Sequence, residues 1–316
     1  MVFILTQLVP GEPELAYLSQ RNLSDKEVVA AFRARWGLDQ PLYIQYFKYM
    51  ENLVQGDLGT SFRTNRPVLV DLKQYLPATI ELALVAIIIA TFFGILFGVL
   101  SATWPNSFID HFLRTISVTG VSIPSFWLAL LVLYVFYFHL GWSPGPGRIG
   151  AWSNPPDPIT NFYIIDSIIQ KKWDILKESL QHLFWPALVL GTFTMGLITR
   201  TNRSSLLETM SMDYIRTARA KGLGKLAVVT RHAFGNAFIP VITVIGLGFG
   251  NLLGGAVLVE TIFSWPGIGM YAYRSAVSLD YPAITGVALL IAVNYVIINL
   301  IVDILYGIID PRIRYQ

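Results

Sequence analysis

The chain of 316 residues has no cysteine, and only 14% of its residues are charged. The first absence removes disulfides and thiolate metal sites, and with them any inference of redox compartment from thiols. The four histidines, His111, His139, His182 and His232, stand singly, with no paired or HExxH spacing, so no metal centre is indicated. A Gly-x-Ser-x-Gly elbow is also missing. The run GLGK at 222–225 is followed by Leu226, where a phosphate-binding loop needs Ser or Thr and an earlier glycine. The sequence therefore offers no catalytic machinery and no cofactor or metal site of its own. The scarcity of charge points elsewhere: with 54% hydrophobic residues the chain is more apolar than a soluble domain, and its expected solvent is a bilayer.

What is present are apolar stretches at 76–102, 116–140, 183–197, 239–262 and 283–309, read against the about 20 residues that a helix needs to cross hydrocarbon. The stretch at 183–197 is the least secure, because Pro186 falls in its first turn and Arg200 and Arg203 close it early. The opening MVFILTQLVPGEP supplies about half a span before Pro10 and Gly11 interrupt it, and it lacks a signal peptide's basic start and cleavage site. Residues 1–10 are thus expected to be the tail of a first helix. The expected fold is all-α and polytopic, with six transmembrane helices in its complete form.

Loop charge sets the expected orientation, because Lys and Arg near span ends resist translocation. Residues 199–236 carry seven Lys or Arg and two acidic residues, a balance of +5, whereas 10–75 and 141–182 are each neutral. The cationic loop at 204–236 is expected in the cytoplasm, together with both termini. Residues 11–75, with amphipathic stretches at 25–36 and 41–53 and a glycine-rich GDLGTSF at 56–62, form an expected extracytoplasmic helical domain. The membrane domain spans 76–316, with a Pro- and Gly-rich extracytoplasmic insertion at 141–182.

Inside the loop lies DYIRTARAKGLGK, residues 213–225. A helix starting near Met212 places Tyr214, Thr217, Ala218 and Lys221 on one face and Arg216 and Arg219 to the side; Gly222 is a natural stop, and a second short helix is expected at 225–234. Three readings follow. A DNA-binding helix-turn-helix is disfavoured, since a span-tethered loop this short hardly reaches a duplex groove. The other two are a helix lying on anionic headgroups, worth about 1 kcal/mol per basic residue, and a helix docking in a cleft of a cytoplasmic partner, with Ala218, Ala220 and Gly222 permitting close approach. Residue pattern alone leaves both open.

DYIRTARAKGLGKLAVVTRHAFGNAFIPVI resembles the EAA loop of membrane-spanning permease subunits of prokaryotic ABC importers, in the variant of the dipeptide/oligopeptide (peptide/nickel) permease family. The triplet Arg216-Thr217-Ala218 stands where the general pattern has Glu-Ala-Ala, and Gly222 matches the pattern's glycine. Further blocks are LVPGEP (8–13), GLDQPLYIQY (37–46), GDLGTSF (56–62), RPV (66–68), LPATIELAL (76–84), DSIIQKKWDIL (166–176), LGGAVLVETIFSWPGIG (253–269), DYP (280–282) and DPRIRY (310–315). They cover essentially the whole chain. The resemblance implies a subunit of the prokaryotic cytoplasmic membrane forming half of a translocation pathway. Its implied cargo is di- or oligopeptides; cello-oligosaccharides, glutathione or nickel are the alternatives. Implied partners are a homologous second permease, two cytoplasmic ATPase subunits and an extracytoplasmic solute-binding protein, with no nucleic acid. Nothing would bind in this chain as cofactor, while ATP and magnesium would sit on the ATPases. Asp213, Tyr214, Arg216, Thr217, Ala218, Arg219, Ala220, Lys221 and Gly222 would form the coupling helix. An ion-coupled secondary transporter is the alternative of another class, and the few ionisable residues in the spans argue against it.

Gly246, Gly250 and Gly254 recur every fourth residue, a stripe that serves close helix packing or lines a pathway. Asn251 and Asn294, deep in their spans, are candidate pathway groups. Glu81 and Asp303 lie near span ends, where capping competes with substrate contact. The run SWPGIGMY at 264–271 reads either as an interfacial tryptophan and turn or as a re-entrant gate.

Overall fold

A computed structural model of the chain describes residues 26–37 and 39–309. The expected half-span at 1–10, the LVPGEP block and the basic C-terminal DPRIRY lie outside the described residues.

Two short helices, α1 (Lys26–Trp36) and α2 (Leu42–Val54), precede a turn region. There Gly56 and Gly59 take φ of +78° and +80°, and Thr60 bridges to Pro67. The helix α3 (Val68–Thr103) begins well before its apolar stretch, directly after Pro67, whose ring has no N–H to leave unpaired. At 36 residues it is about 54 Å long at 1.5 Å per residue, so it overshoots the hydrocarbon layer.

The stretch at 116–140 is not one straight span. It divides into α4 (Phe108–Ser122) and α5 (Ser125–Val132), the latter continuing as a π-helical segment, Leu133–His139, and the two limbs meet at 106°. Pro124 is the cause: its ring excludes Ile123 from helical backbone, and Ile123 is extended at φ −80°, ψ 127°.

A short helix α6 (Tyr163–Ile169) leads into α7 (Trp173–Thr209), which at 37 residues is the longest described helix. The least secure sequence stretch is thus a long, heavily buried span. Pro186 sits in its interior, not in its first turn, and the arginines do not end it because Arg203 has an acidic partner on α4.

After α8 (Asp213–Ala220) comes α9 (Lys225–Val228), which runs through a π turn, Val229–Ala233, into α10 (Phe234–Gly255). The second short helix expected at 225–234 is therefore the beginning of a continuous span. The stretch at 239–262 is broken after Gly255, and its last part is the separate α11 (Val257–Ile262). The remaining helices are α12 (Ile268–Val277) and α13 (Tyr281–Ile309).

By length and composition, four described helices can cross a membrane, or five if the bent pair counts as one span. They share a core made small on purpose of proximity: Ala78, Ala83, Ala86 and Ala90 of α3 are fully buried, and a Cβ added at Gly191 of α7 would lie 2.7 Å from the Ala86 carbonyl oxygen. Such small residues let backbones approach where lipid gives no hydrophobic drive. The bundle has a loop end, where α3 and α7 finish and α8 sits, and a far end, where α3 and α7 start and α11 to α13 meet.

Candidate functional site

At the loop end, α8 is fastened by an apolar stripe of two residues. Ile215 is buried against Ala102 of α3, Leu206 of α7 and Val228, Val229 and Ala233 of the α9 segment, and Ala218 is buried as well. Ala218 therefore faces inward, apart from Tyr214, Thr217 and Lys221, and cannot belong to an outward docking face as expected; the three-residue spacing to Ile215 puts it beneath the helix. Asp213, Tyr214, Arg216, Thr217, Arg219, Ala220 and Lys221 all remain exposed. Met212, Leu223 and Leu226 are exposed beside them at 43%, 38% and 49%, so the outward surface mixes apolar and basic groups.

Gly222 ends the helix with φ +79° and donates its N–H to the Arg219 carbonyl at 2.9 Å. No atom lies within 4 Å of where its Cβ would be. Its requirement for glycine is thus conformational within this chain, not steric. Tyr214 accepts a hydrogen bond from Asn236 at 2.8 Å, tying the helix to the start of α10. Arg216 pairs with Asp213 at 3.3 Å, and both are largely solvated, so that pair adds little.

Behind the loop lies an ion pair that residue counting misses. Asp110, wholly buried, receives Arg203 through two hydrogen bonds of 2.8 Å, and it also accepts from Ser101 and from the Asn106 N–H. Asn202 donates to the Ile95 carbonyl at 3.0 Å. These contacts lock the ends of α3, α4 and α7 that carry the loop. The sequence signal was available as an acidic residue at the start of an apolar helix, where a buried charge demands a partner.

The glycine stripe of α10 faces α13. Gly246 is pressed against Val302, so a Cβ there would overlap that side chain, while Cβ atoms at Gly250 and Gly254 would stand 3.5 Å from Ile298 and Ile291. The stripe packs helices within this chain. Asn251 is exposed and Asn294 half-buried, on different helices.

The far end is held by buried carboxylates, Glu81, Glu260 and Asp280 among them. Glu81 pairs with Arg148 at 2.5 Å and accepts from the Ile164 N–H at 2.8 Å, while the guanidinium lies 3.5 Å from the centre of the Tyr163 ring. This brings the 141–172 insertion onto α3, so Glu81 is a structural clasp. Glu260 accepts from Thr79 at 2.7 Å and from the Met270 N–H at 3.0 Å, holding the SWPGIGMY turn against α3. In that turn Trp265 is 1% exposed and donates to the Ala78 carbonyl at 2.8 Å. It is an interior residue, not part of an interfacial aromatic belt. Asp280 of the DYP block accepts from Ser61 at 2.5 Å and from the Phe62 and Arg63 N–H groups at 3.1 Å, which joins two sequence blocks more than two hundred residues apart. Asp303 is exposed and has no such role.

Within the insertion, Asp166 caps the backbone of 159–161. Burial alone would raise its pKa, but donors from the Thr160 side chain and from the Ile159, Thr160 and Asn161 N–H groups outweigh it and hold the carboxyl below its ordinary value. No cluster of three potential metal ligands occurs among the described residues.

Residues 94–315 match the family described as binding-protein-dependent transport system inner membrane component, and residues 1–83 match the N-terminal region of such membrane components. The chain is 47% identical over 313 residues to the probable D,D-dipeptide transport system permease protein DdpB of Escherichia coli (strain K12), covering 99% of this chain and 92% of that protein. It is 46% identical to the dipeptide transport system permease protein DppB of Alkalihalophilus pseudofirmus, covering 100% and 94%. With the glutathione transport system permease protein GsiC of Salmonella paratyphi A the identity is 38%, covering 100% and 93%. Among solved structures, an inward-facing form of the MetNI methionine ABC transporter superposes with a TM-score of 0.52 at 16% identity, over 74% of this chain and 93% of that chain. That likeness supports the all-α permease fold alone.

Proposed function

Because the chain belongs to the family of inner membrane components of binding-protein-dependent transport systems, we propose that it forms half of the pathway of an ABC importer for di- or oligopeptides in the prokaryotic cytoplasmic membrane. It pairs with a homologous permease, receives cargo from an extracytoplasmic solute-binding protein and is driven by two cytoplasmic ATPase subunits that hold the ATP and magnesium. The observation that carries the reading is the mounting of α8: Ile215 fixes it to the ends of α3 and α7, while its polar and basic side remains uncovered. Movement imposed on such a helix passes directly to the spans behind it.

In this reading the loop at 204–236 and both termini are cytoplasmic, and residues 11–75 with the 141–182 insertion lie outside. The named activities of the relatives, two of dipeptides and one of glutathione, favour a short peptide as cargo over sugars or nickel. Uptake of a labelled dipeptide into vesicles carrying the complete transporter tests this. The expected result is uptake that requires ATP and binding protein and persists when ion gradients are collapsed. Uptake driven by a proton or sodium gradient without ATP would contradict it.

A further inference from the structure

Between α4 and α7 at the loop end lies a crevice of about 460 Å³ that belongs neither to the cationic loop nor to the helix-packing stripe. Arg114 comes from α4, and Arg200 and Arg203 come from α7, each at the three- and four-residue spacing that aligns side chains on one helix face. The two helices touch where Gly196 has no side chain: a Cβ there would stand 2.6 Å from both the Ser117 carbonyl oxygen and the Val121 side chain. All three arginines lie on the loop side of that contact.

Their charges are unequally committed. Arg203 is bound to Asp110. Arg114 bonds the ring of His111 at 2.7 Å and, like the exposed Arg200, forms no ion pair among the described residues. The lining contains no carboxylate, so two positive charges are left uncompensated. The hydroxyls of Ser101, Ser117, Ser122 and Thr199 already donate within the chain, which leaves the guanidiniums and the exposed Ser204 for recognition. Apolar surface adjoins them: Val118 and Val121 share the lining, and Val118 is 58% exposed. An occupant with a phosphate at one end and hydrocarbon at the other covers both surfaces, whereas a soluble anion leaves the apolar one bare. Guanidinium groups suit phosphate oxygens, and basic clefts between spans on the side of a cationic loop face anionic headgroups.

We propose that this crevice binds the phosphodiester headgroup of an anionic phospholipid from the leaflet at the loop end, with its acyl chains along Val118 and Val121. The site would make the packing of α4 on α7, next to the α8 mount, sensitive to lipid composition.

The test uses the complete transporter complex, purified in detergent and offered phosphatidylglycerol or phosphatidylcholine, with retained lipid counted by native mass spectrometry. Wild type should keep phosphatidylglycerol in preference to phosphatidylcholine. An Arg114→Gln/Arg200→Gln variant should bind it about thirtyfold more weakly, from two lost basic contacts, and Arg200→Lys should keep most of it. Equal retention by wild type and the double variant would overturn the proposal. So would displacement of the lipid by inorganic phosphate, which would mark a soluble-anion site, or by a dipeptide, which would mark a stretch of the cargo pathway.

Discussion

Asp110 and Arg203 face each other through two parallel hydrogen bonds of 2.8 Å, one residue on α4 and the other on α7, within two turns of the end of the helix that leads into the loop. Asp110 has no exposure at all, whereas Arg203 is 20% exposed and lines the crevice, so removing Asp110 leaves a partly solvated cation without its two charge-assisted hydrogen bonds. Asp110→Ala should therefore lower stability by about 1.5–3 kcal/mol. Thermal unfolding of the purified complex followed by near-ultraviolet dichroism measures this. A midpoint shared with wild type would show that Arg203 finds solvent instead.

The glycine stripe makes a graded prediction. Gly246 already touches Val302, whereas Gly250 and Gly254 leave ordinary contact distance to α13. Gly246→Leu should be the most damaging, and Gly250→Leu should also abolish transport, since overpacking costs about 1–3 kcal/mol. Peptide uptake normalised to membrane expression checks the order. Normal uptake by Gly250→Leu would place that face against lipid.

Much of this arrangement was legible in the residues. Proline, glycine and charge marked the ends of the helices, and Gly222 was readable as a stop because a helix of that composition followed by glycine has few other continuations. Three features were not. Pro124 lay within an apolar run whose hydropathy hid a bend of 106°. Ala218 read as part of an outward face because its burial depends on how α8 is seated on other helices, which the residues of α8 alone do not report. The pairing of Asp110 with Arg203, like that of Glu81 with Arg148, depends on which helices are neighbours, and periodicity within one helix cannot report that.

The insertion should respond to acid in a defined direction. The folded-state pKa of Asp166 is depressed, so its capping contributes fully above the unfolded carboxylate value of about 3.9 and is lost as pH falls through the lower folded value. Limited proteolysis of 141–172 should be constant from neutral pH down to that range and then rise. Asp166→Asn should raise cleavage at every pH and remove the acid step. An unchanged acid step in the variant would assign it to another group.

Sidedness can be read directly, because the chain has no native thiol. Ala220→Cys, on the exposed side of α8, should resist an impermeant thiol reagent in intact cells and react after the membrane is opened. Trp152→Cys, fully exposed in the insertion, should react in intact cells. The reverse pattern would invert the topology.

The coupling role of α8 is tested most directly at Gly222, where a side chain has room but the backbone at φ +79° resists it. A left-handed conformation costs roughly 1–2 kcal/mol for an ordinary residue and more for a β-branched one, enough to redirect the loop without unfolding the spans. The measurement is co-purification of the ATPase subunits and their stimulation by loaded binding protein, in Gly222→Val and in a variant with Arg216, Arg219 and Lys221 all neutralised. Docking by shape predicts that Gly222→Val reaches the membrane folded yet loses the ATPases or their stimulation, with the neutralised variant affected less. A Gly222→Val complex that assembles and responds normally, beside a neutralised variant that does not, would contradict docking and return α8 to the lipid surface.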